Sequence, residues 1–166
     1  MIPVLLGLGT NLGDRAANLH NAINGLRRFL NVTAVSPIYE SAAMYDTDQP
    51  AFLNLVVVAE TGMPPQSLLE ALKRLEARMG RMPTRPKGPR VIDIDILFYG
   101  DRVVRSEGLS IPHPGMAERA FVLAPAQDIA PDWACPATGR RVRDMLAALG
   151  RDEAVRPYAP PLAAPA

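Results

Sequence analysis

The sequence predicts an α+β fold in a single domain, and three observations support this prediction. Short runs rich in β-branched residues alternate with segments whose apolar residues recur at helical spacing. The chain has 166 residues, which is a common length for one compact domain with one hydrophobic core. Its formal net charge is +1, so we expect neither the strong basicity of a nucleic-acid-binding protein nor an acidic tail.

Three strands and two helices are predicted in the first half of the chain. The first strand ends at a Gly-Thr-Asn turn, and the helix after it begins near Asp14, with Arg27 and Arg28 in its last turns. Pro64 and Pro65 suit the start of the second helix, which Gly80 ends. The strands are expected at 2–8, 32–39 and 52–60.

A fourth strand is predicted from Val91 to Tyr99. The order through residue 99 is then strand, helix, strand, strand, helix, strand, which is the βαββαβ pattern of ferredoxin-like folds. We expect the C-terminal part to add further strands and helices to the same domain, giving three layers, α/β/α. Residues 1–153 form this domain in our prediction, and the Ala/Pro-rich residues 154–166 are expected to be a flexible tail.

Two aspartates on the predicted fourth strand are the first candidate functional residues. In the segment VIDIDILFYG, the period of two places Asp93 and Asp95 on one sheet face, about 6 to 7 Å apart at the backbone. Two ionised carboxylates near a core repel each other and lose hydration unless a cation lies between them. Magnesium, which commonly takes one or two protein carboxylates plus phosphates, would satisfy both. Simple pairing with nearby arginines is the alternative explanation.

A basic segment leads directly into this strand. Arg81, Arg85, Lys87 and Arg90 lie among prolines and glycine in RMPTRPKGPR. Guanidinium groups bind phosphate through two parallel hydrogen bonds, so carboxylates beside such a segment indicate a polyphosphate ligand. A solvated loop that balances the aspartates is the alternative.

Three other segments have less specific signals. GLGTNLGD at 7–14 lacks the Lys-Ser/Thr of a Walker A loop and the spacing of a dinucleotide-binding loop, so we interpret it as a tight turn. Asn54 could pair with a heterocycle on which Phe52 stacks, or could lie in the core. His113 lies between two prolines and could contact a phosphate or serve packing.

Five motifs, in order along the chain, resemble those of the 6-hydroxymethyl-7,8-dihydropterin pyrophosphokinases. They are GLGTNLGDR (7–15), SPIYES (36–41), DQPAFLN (48–54), GPRVIDIDILFYG (88–100) and IPHPGMAERAFVLAP (111–125). The resemblance spans residues 2 to about 150. It implies a ferredoxin-like fold with additional elements, two Mg²⁺ ions, and transfer of pyrophosphate from ATP to the pterin, with AMP released on the way to folate.

The resemblance also implies roles for individual residues. Asp93 and Asp95 would bind both metal ions, and Arg81 and Arg90 would neutralise the phosphates. The ATP-binding residues would be Glu76, Arg85, Ile96, His113 and Arg119. The pterin would be held by Ser41, Ala42, Met44, Phe52, Asn54 and Phe121. Lys87 and Gly108 depart from residues common in the family.

Two other functions fit parts of the sequence. A different metal-dependent nucleotidyl or phosphoryl transferase would share the ATP site but lack the pterin pocket. A non-catalytic ferredoxin-like RNA-binding module would need stacked aromatic residues, and only 5% of the residues are aromatic. The short apolar N-terminal run is interpreted as a strand rather than a signal or a membrane span. With one cysteine in the chain, we expect a cytoplasmic protein. We also expect it to be a monomer and to have no membrane partner.

Overall fold

An antiparallel six-stranded sheet is the centre of the fold. We use a computed structural model, which describes residues 1–42, 49–80, 90–150 and 154–160. The strands are β1 (Ile2–Thr10), β2 (Asn31–Val35), β3 (Ile38–Ser41), β4 (Phe52–Thr61), β5 (Asp93–Tyr99), β6 (Val104–Ser106), β7 (Leu109–Ile111) and β8 (Val155–Ala159). The helices are α1 (Arg15–Leu26), α2 (Pro65–Arg78), α3 (Ala120–Ile129) and α4 (Val142–Leu149), with a 3₁₀ turn at Met116–Glu118.

The strand order places β1 between β5 and β4. The order is β5-β1-β4-β3-β8, and β2 also pairs with β4, while β6 and β7 form a separate hairpin. Gly9 of β1 lies opposite Asp93 on one side and opposite Asn54 on the other. Directly paired residues point to the same face of a sheet. The side chains of Asp93 and Asn54 therefore share a face, with a glycine between them.

Helices cover both faces of the sheet. On one face, Val4, Leu6 and Leu8 of β1 join a core with residues of α1 and α2. On the other face, Leu5 joins Phe98 and residues of α3 and α4 in a second core. The alternation of side chains along β1 separates the two cores. Beyond Leu5 the second face of β1 carries only glycines at positions 7 and 9, so packing stops there and an open cleft begins.

The first two helices begin where the sequence indicates. The Asp14 carboxylate accepts a hydrogen bond from the Ala17 amide at 3.1 Å, which caps α1, and Pro65 is the first residue of α2. Helix α1 ends at Leu26, so the prediction that Arg27 and Arg28 lie in its last turns is wrong. No helix in the described ranges combines the length and the hydropathy needed to cross a membrane.

The segment predicted as one strand at 32–39 is two strands. The break falls at Ser36 and Pro37, because proline has no amide hydrogen to continue a ladder. The Ser36 hydroxyl instead accepts a hydrogen bond from the Val56 amide at 2.8 Å, and the Ser36 amide donates to the Val56 carbonyl at 2.9 Å. Both short strands consequently pair with different parts of β4.

The prediction of a flexible tail from residue 154 is wrong for residues 155–159, which form β8 beside β3. Glu40 of β3 accepts hydrogen bonds from Arg15 at 2.8 Å and from Arg156 of β8 at 2.9 Å. The Arg15 guanidinium also lies 5.7 Å from the centre of the Tyr158 ring. These long-range contacts stabilise a strand that local composition does not favour.

We predict that Glu40→Gln destabilises the fold in a pH-dependent way. Hydrogen bonds from Arg156 and Arg15 lower the pKa of the Glu40 carboxyl below its ordinary 4.5. A lowered pKa gives stability that is present above pH 4.5 and lost as pH falls through the folded-state pKa. In urea unfolding at neutral pH, the variant should lose about 0.5 to 1 kcal/mol, and the difference should shrink below pH 4.5.

Glu60→Gln is the matched control. The Glu60 carboxylate, on the neighbouring β4, accepts a hydrogen bond from the uncharged side-chain amide of Asn31 at 3.1 Å. A pH-independent difference for Glu40→Gln, or the same difference in the control, would contradict the role of the two arginines.

Candidate active site

The cleft on the second face of the sheet has a volume of about 220 Å³. Its floor is β1, one wall is β5, the other wall is β4 with the end of β3, and the start of α3 lies at its rim. Nine of the residues predicted for the site line it: Ser41, Ala42, Phe52, Asn54, Arg90, Asp93, Asp95, Arg119 and Phe121. The structure therefore brings together residues that are up to 80 positions apart in the sequence.

The two carboxylates lie side by side on the open face of β5. Asp93 and Asp95 pair in register with Gly9 and Gly7, so no β1 side chain occupies the space beside them. Their side chains are 34% and 53% exposed, which leaves both accessible from the cleft. The Arg90 Nε lies 3.4 Å from an Asp93 oxygen, too far for a strong ion pair. The predicted placement of both aspartates on one face is confirmed.

The donor set suits magnesium. Among the residues that the structure describes, no group of three or more His, Cys, Asp and Glu side chains converges on one point. Asp93 and Asp95 would therefore be the ligands from these residues, and water and phosphate oxygens would complete the shell. Magnesium commonly binds in this way, whereas structural zinc sites take four protein ligands.

His113 is fixed against the same strand. Its amide donates to the Leu97 carbonyl at 3.1 Å, and its Nδ1 accepts from the Gly115 amide at 3.1 Å. The proton of the neutral ring is therefore on Nε2, which lies 4.0 Å from an Asp95 oxygen. Burial lowers the pKa of His113 below its ordinary 6.5; Asp95 raises this pKa, and Arg119 lowers it further.

The opposite end of the cleft combines an amide with aromatic rings. Asn54 is 5% exposed, and its Nδ2 donates to the Ser41 hydroxyl at 2.8 Å, which fixes the orientation of the amide. Phe52 comes from the start of β4 and Phe121 from the start of α3. The Arg119 guanidinium lies 5.9 Å from the centre of the Phe121 ring. Aromatic rings can stack on a flat heterocycle, and a side-chain amide can form hydrogen bonds with its edge.

Helix α3 is attached to the sheet by a hydrogen bond outside the cleft. The Tyr39 hydroxyl of β3 donates to the Asp128 carboxylate of α3 at 2.5 Å. Burial and this carboxylate raise the pKa of Tyr39 to about 12. The contact helps to fix the helix whose first turn carries Phe121.

Three predicted residues are not among those that line the cleft: His113, which lies near Asp95 as described above, Ile96 and Glu76. The Ile96 side chain is 5% exposed and packs in the core under α1 and α2, because the period of two places it on the face opposite Asp95. The side chain therefore does not face the cleft, and the part of Ile96 in nucleotide binding stays a prediction. Glu76 of α2 accepts a hydrogen bond from the Ile94 amide at 2.8 Å, at the outer edge of β5. The predicted residues Met44, Arg81 and Arg85 lie outside the described residues.

The glycines of GLGTNLGD have a role that sequence reasoning missed. Gly7 and Gly9 lie inside β1 rather than in a turn, so that part of our interpretation is wrong. A Cβ on Gly9 would lie 3.3 Å from Asn54 Oδ1 and 3.6 Å from the Phe52 ring, and one on Gly7 would lie 3.4 Å from Leu97. These glycines keep the cleft floor open. Their alternation with leucine in an apolar strand was the available signal.

In a mixed α/β fold, an acidic cleft flanked by arginine and histidine is typical of sites that bind metal-bound phosphates. Comparison with known proteins identifies the family. The family model for 7,8-dihydro-6-hydroxymethylpterin-pyrophosphokinase (HPPK) matches residues 5–131. The chain belongs to this family.

The chain is similar both to a pyrophosphokinase of about its own length and to parts of longer proteins. The pyrophosphokinase of Methylorubrum extorquens is 44% identical, over 90% of this chain and 94% of its own length. The folic acid synthesis protein fol1 of Pneumocystis carinii is also 44% identical, over 82% of this chain, but the chain spans only 18% of that protein. A solved HPPK-DHPS structure of Plasmodium falciparum has the same fold, with a TM-score of 0.73 and 18% identity, over 89% of this chain and 43% of its own.

We predict that His113 titrates below 6.5 in metal-free protein. The chain has two histidines, so a His20→Gln variant would assign the His113 imidazole signals in an NMR titration. Arg119→Ala should raise the midpoint, because it removes a cation, and Asp95→Asn should lower it, because it removes an anion. A midpoint at or above 6.5, or shifts of the opposite sign, would contradict this geometry.

Proposed function

We propose that the protein transfers a pyrophosphoryl group from ATP to 6-hydroxymethyl-7,8-dihydropterin, giving AMP and the pterin diphosphate in tetrahydrofolate biosynthesis. One observation carries the proposal: the carboxylates Asp93 and Asp95 and the pocket of Phe52 and Asn54 lie in one cleft, separated by the glycine floor of β1. Family membership and the similarity to the Methylorubrum extorquens pyrophosphokinase support it.

At the phosphate end, Asp93 and Asp95 would hold two Mg²⁺ ions, and Arg90 lies beside them to neutralise phosphate charge. When bound, magnesium supplies charge neutralisation to the attacking and leaving oxygens. The remaining ATP contacts that we propose come from Glu76, Arg81, Arg85, the Ile96 backbone, His113 and Arg119. The neutral His113 can donate its Nε2 hydrogen to a phosphate oxygen, since its Nδ1 is already occupied by Gly115.

At the pterin end, Asn54 would pair with the edge of the heterocycle while Ser41 holds the amide in place. Phe52 and Phe121 would stack on the ring, and Ala42 and Met44 complete the proposed pocket. Asn54 and Asp93 lie on the same sheet face, on either side of Gly9. The hydroxyl of a pterin bound at Asn54 would therefore lie close to phosphates bound at Asp93.

The reaction needs alignment more than covalent help from the protein. The pterin hydroxyl oxygen bonds to the β-phosphorus of ATP, and the bond from that phosphorus to the oxygen bridging the α-phosphorus breaks. AMP leaves with that oxygen, and the hydroxyl proton is released to solvent. We assign no side chain as general base.

We also classify the core as ferredoxin-like. Taking β2 and β3 as one interrupted strand, the order β5-β1-β4-β2/β3 with antiparallel neighbours supports this classification. A cytoplasmic monomer without nucleic-acid partners completes the proposal. Its support is the near-neutral charge and the single, buried cysteine.

The direct test is AMP release from ATP and Mg²⁺, with and without 6-hydroxymethyl-7,8-dihydropterin. We expect AMP only when the pterin is present, and a kcat at least about a hundredfold lower in Asp95→Asn, because a metal ligand loses its charge. Circular dichroism should show that the variant is folded.

Asp101→Asn is the control, since this exposed aspartate lies just beyond β5 and outside the cleft. Release of ADP, or AMP release without pterin, would favour a different metal-dependent transferase. A normal rate in Asp95→Asn would disprove the metal assignment, and absence of ATP binding would favour a binding module.

We further predict that Gly9→Val raises the KM for the pterin by about tenfold, with a smaller effect on the KM for ATP. The added side chain would crowd the Asn54 amide and the Phe52 ring. Gly62→Val is the control, because a Cβ there meets only the Met1 sulfur at 3.8 Å. An unchanged pterin KM in Gly9→Val would show that this floor does not contact the pterin.

A further inference from the structure

Asn11 connects the two ends of the cleft. It follows the last residue of β1 and is 1% exposed. Its backbone amide donates to the Arg90 carbonyl at 3.0 Å, and its side-chain Oδ1 accepts from the Arg90 backbone amide at 2.7 Å. Its Nδ2 donates to Gln49 Oε1 at 3.0 Å and to the Pro50 carbonyl at 3.1 Å. One buried side chain thus bridges two segments about 40 residues apart in sequence.

The bridged segments lead into opposite walls of the cleft. Gln49 and Pro50 precede β4, whose first residue is Phe52, and Arg90 precedes β5, whose first residue is Asp93. Arg90 is also the cation beside Asp93, at 3.4 Å. Asn11 therefore joins the segment before Phe52 to Arg90 by two hydrogen bonds on each side.

The three hydrogen bonds of the Asn11 side chain select asparagine. The Arg90 amide can only donate and the Pro50 carbonyl can only accept, so the orientation of the Asn11 amide is fixed by its backbone partners. Aspartate has no hydrogen to donate to Gln49 and Pro50. Alanine has neither group, and glutamine is longer by one methylene.

We propose that Asn11 is a positioning residue that couples the pterin end of the cleft to Arg90 at the phosphate end. This inference rests on the proposed function, in which Phe52 contacts the pterin and Arg90 the phosphates. Binding of either substrate would then favour the arrangement that the other requires, and coupling between two sites is reciprocal.

The test measures the Kd of 6-hydroxymethyl-7,8-dihydropterin by calorimetry, with and without Mg²⁺ and α,β-methylene ATP, whose α–β bridge resists cleavage. We expect the nucleotide to tighten pterin binding at least about tenfold in the wild-type protein, within the usual range for coupled sites. In Asn11→Ala this ratio should fall towards one, and kcat should fall about tenfold.

A second variant separates the two halves of the bridge. Asn11→Asp keeps the acceptor for the Arg90 amide but places a carboxylate oxygen against Gln49 Oε1 and the Pro50 carbonyl. It should fold and should lose the coupling as Asn11→Ala does. Asn18→Ala is the control, because the Asn18 amide donates to Thr10 at 3.1 Å and to Leu12 at 2.7 Å in the same turn without reaching either wall.

The outcomes separate this inference from the proposed function. A wild-type protein that makes no pterin-dependent AMP would disprove the proposed function. With that activity present, a wild-type ratio near one, an unchanged ratio in both Asn11 variants, or an equal loss in Asn18→Ala would overturn the role of Asn11. Loss confined to the Asn11 variants supports it.

Discussion

The cleft depends on one arrangement: two carboxylates lie on the open face of β5, and the residues opposite them on the neighbouring strand β1 are glycines. Asp93 and Asp95 pair with Gly9 and Gly7, so no side chain of β1 occupies the space next to the carboxylates. Two like charges this close favour a cation, and at 34% and 53% exposure they remain accessible to one. A larger residue at either glycine would crowd the space that the proposed metal and phosphate would occupy.

The rest of the structure maintains that arrangement. Helices α1 and α2 bury the opposite face of β1 and β5, which fixes which residues face the cleft. Helices α3 and α4 cover only part of the second face, and the start of α3 brings Arg119 and Phe121 to the rim. Binding groups therefore come from separate elements that the core holds rigidly, a common arrangement in active sites.

Several of these features follow from local patterns in the sequence. The period of two correctly places Asp93 and Asp95 together, and the same rule should have placed Ile96 on the other face. Proline at position 37 indicated a break that the β-branched run around it concealed. Strand β8 could not be predicted from its own composition. Contacts with distant residues, such as the ion pairs of Arg156 and Arg15 with Glu40, stabilise it instead. The links made by Asn11 join distant segments and leave no periodic signal.

The most direct test of this account is the position of the metal. Crystals grown with Mn²⁺ and α,β-methylene ATP would locate the ion by its anomalous scattering. We expect manganese at coordination distance, about 2 Å, from carboxylate oxygens of both Asp93 and Asp95, with phosphate oxygens on its open side. Nucleotide bound in the cleft with manganese held away from both aspartates would contradict it.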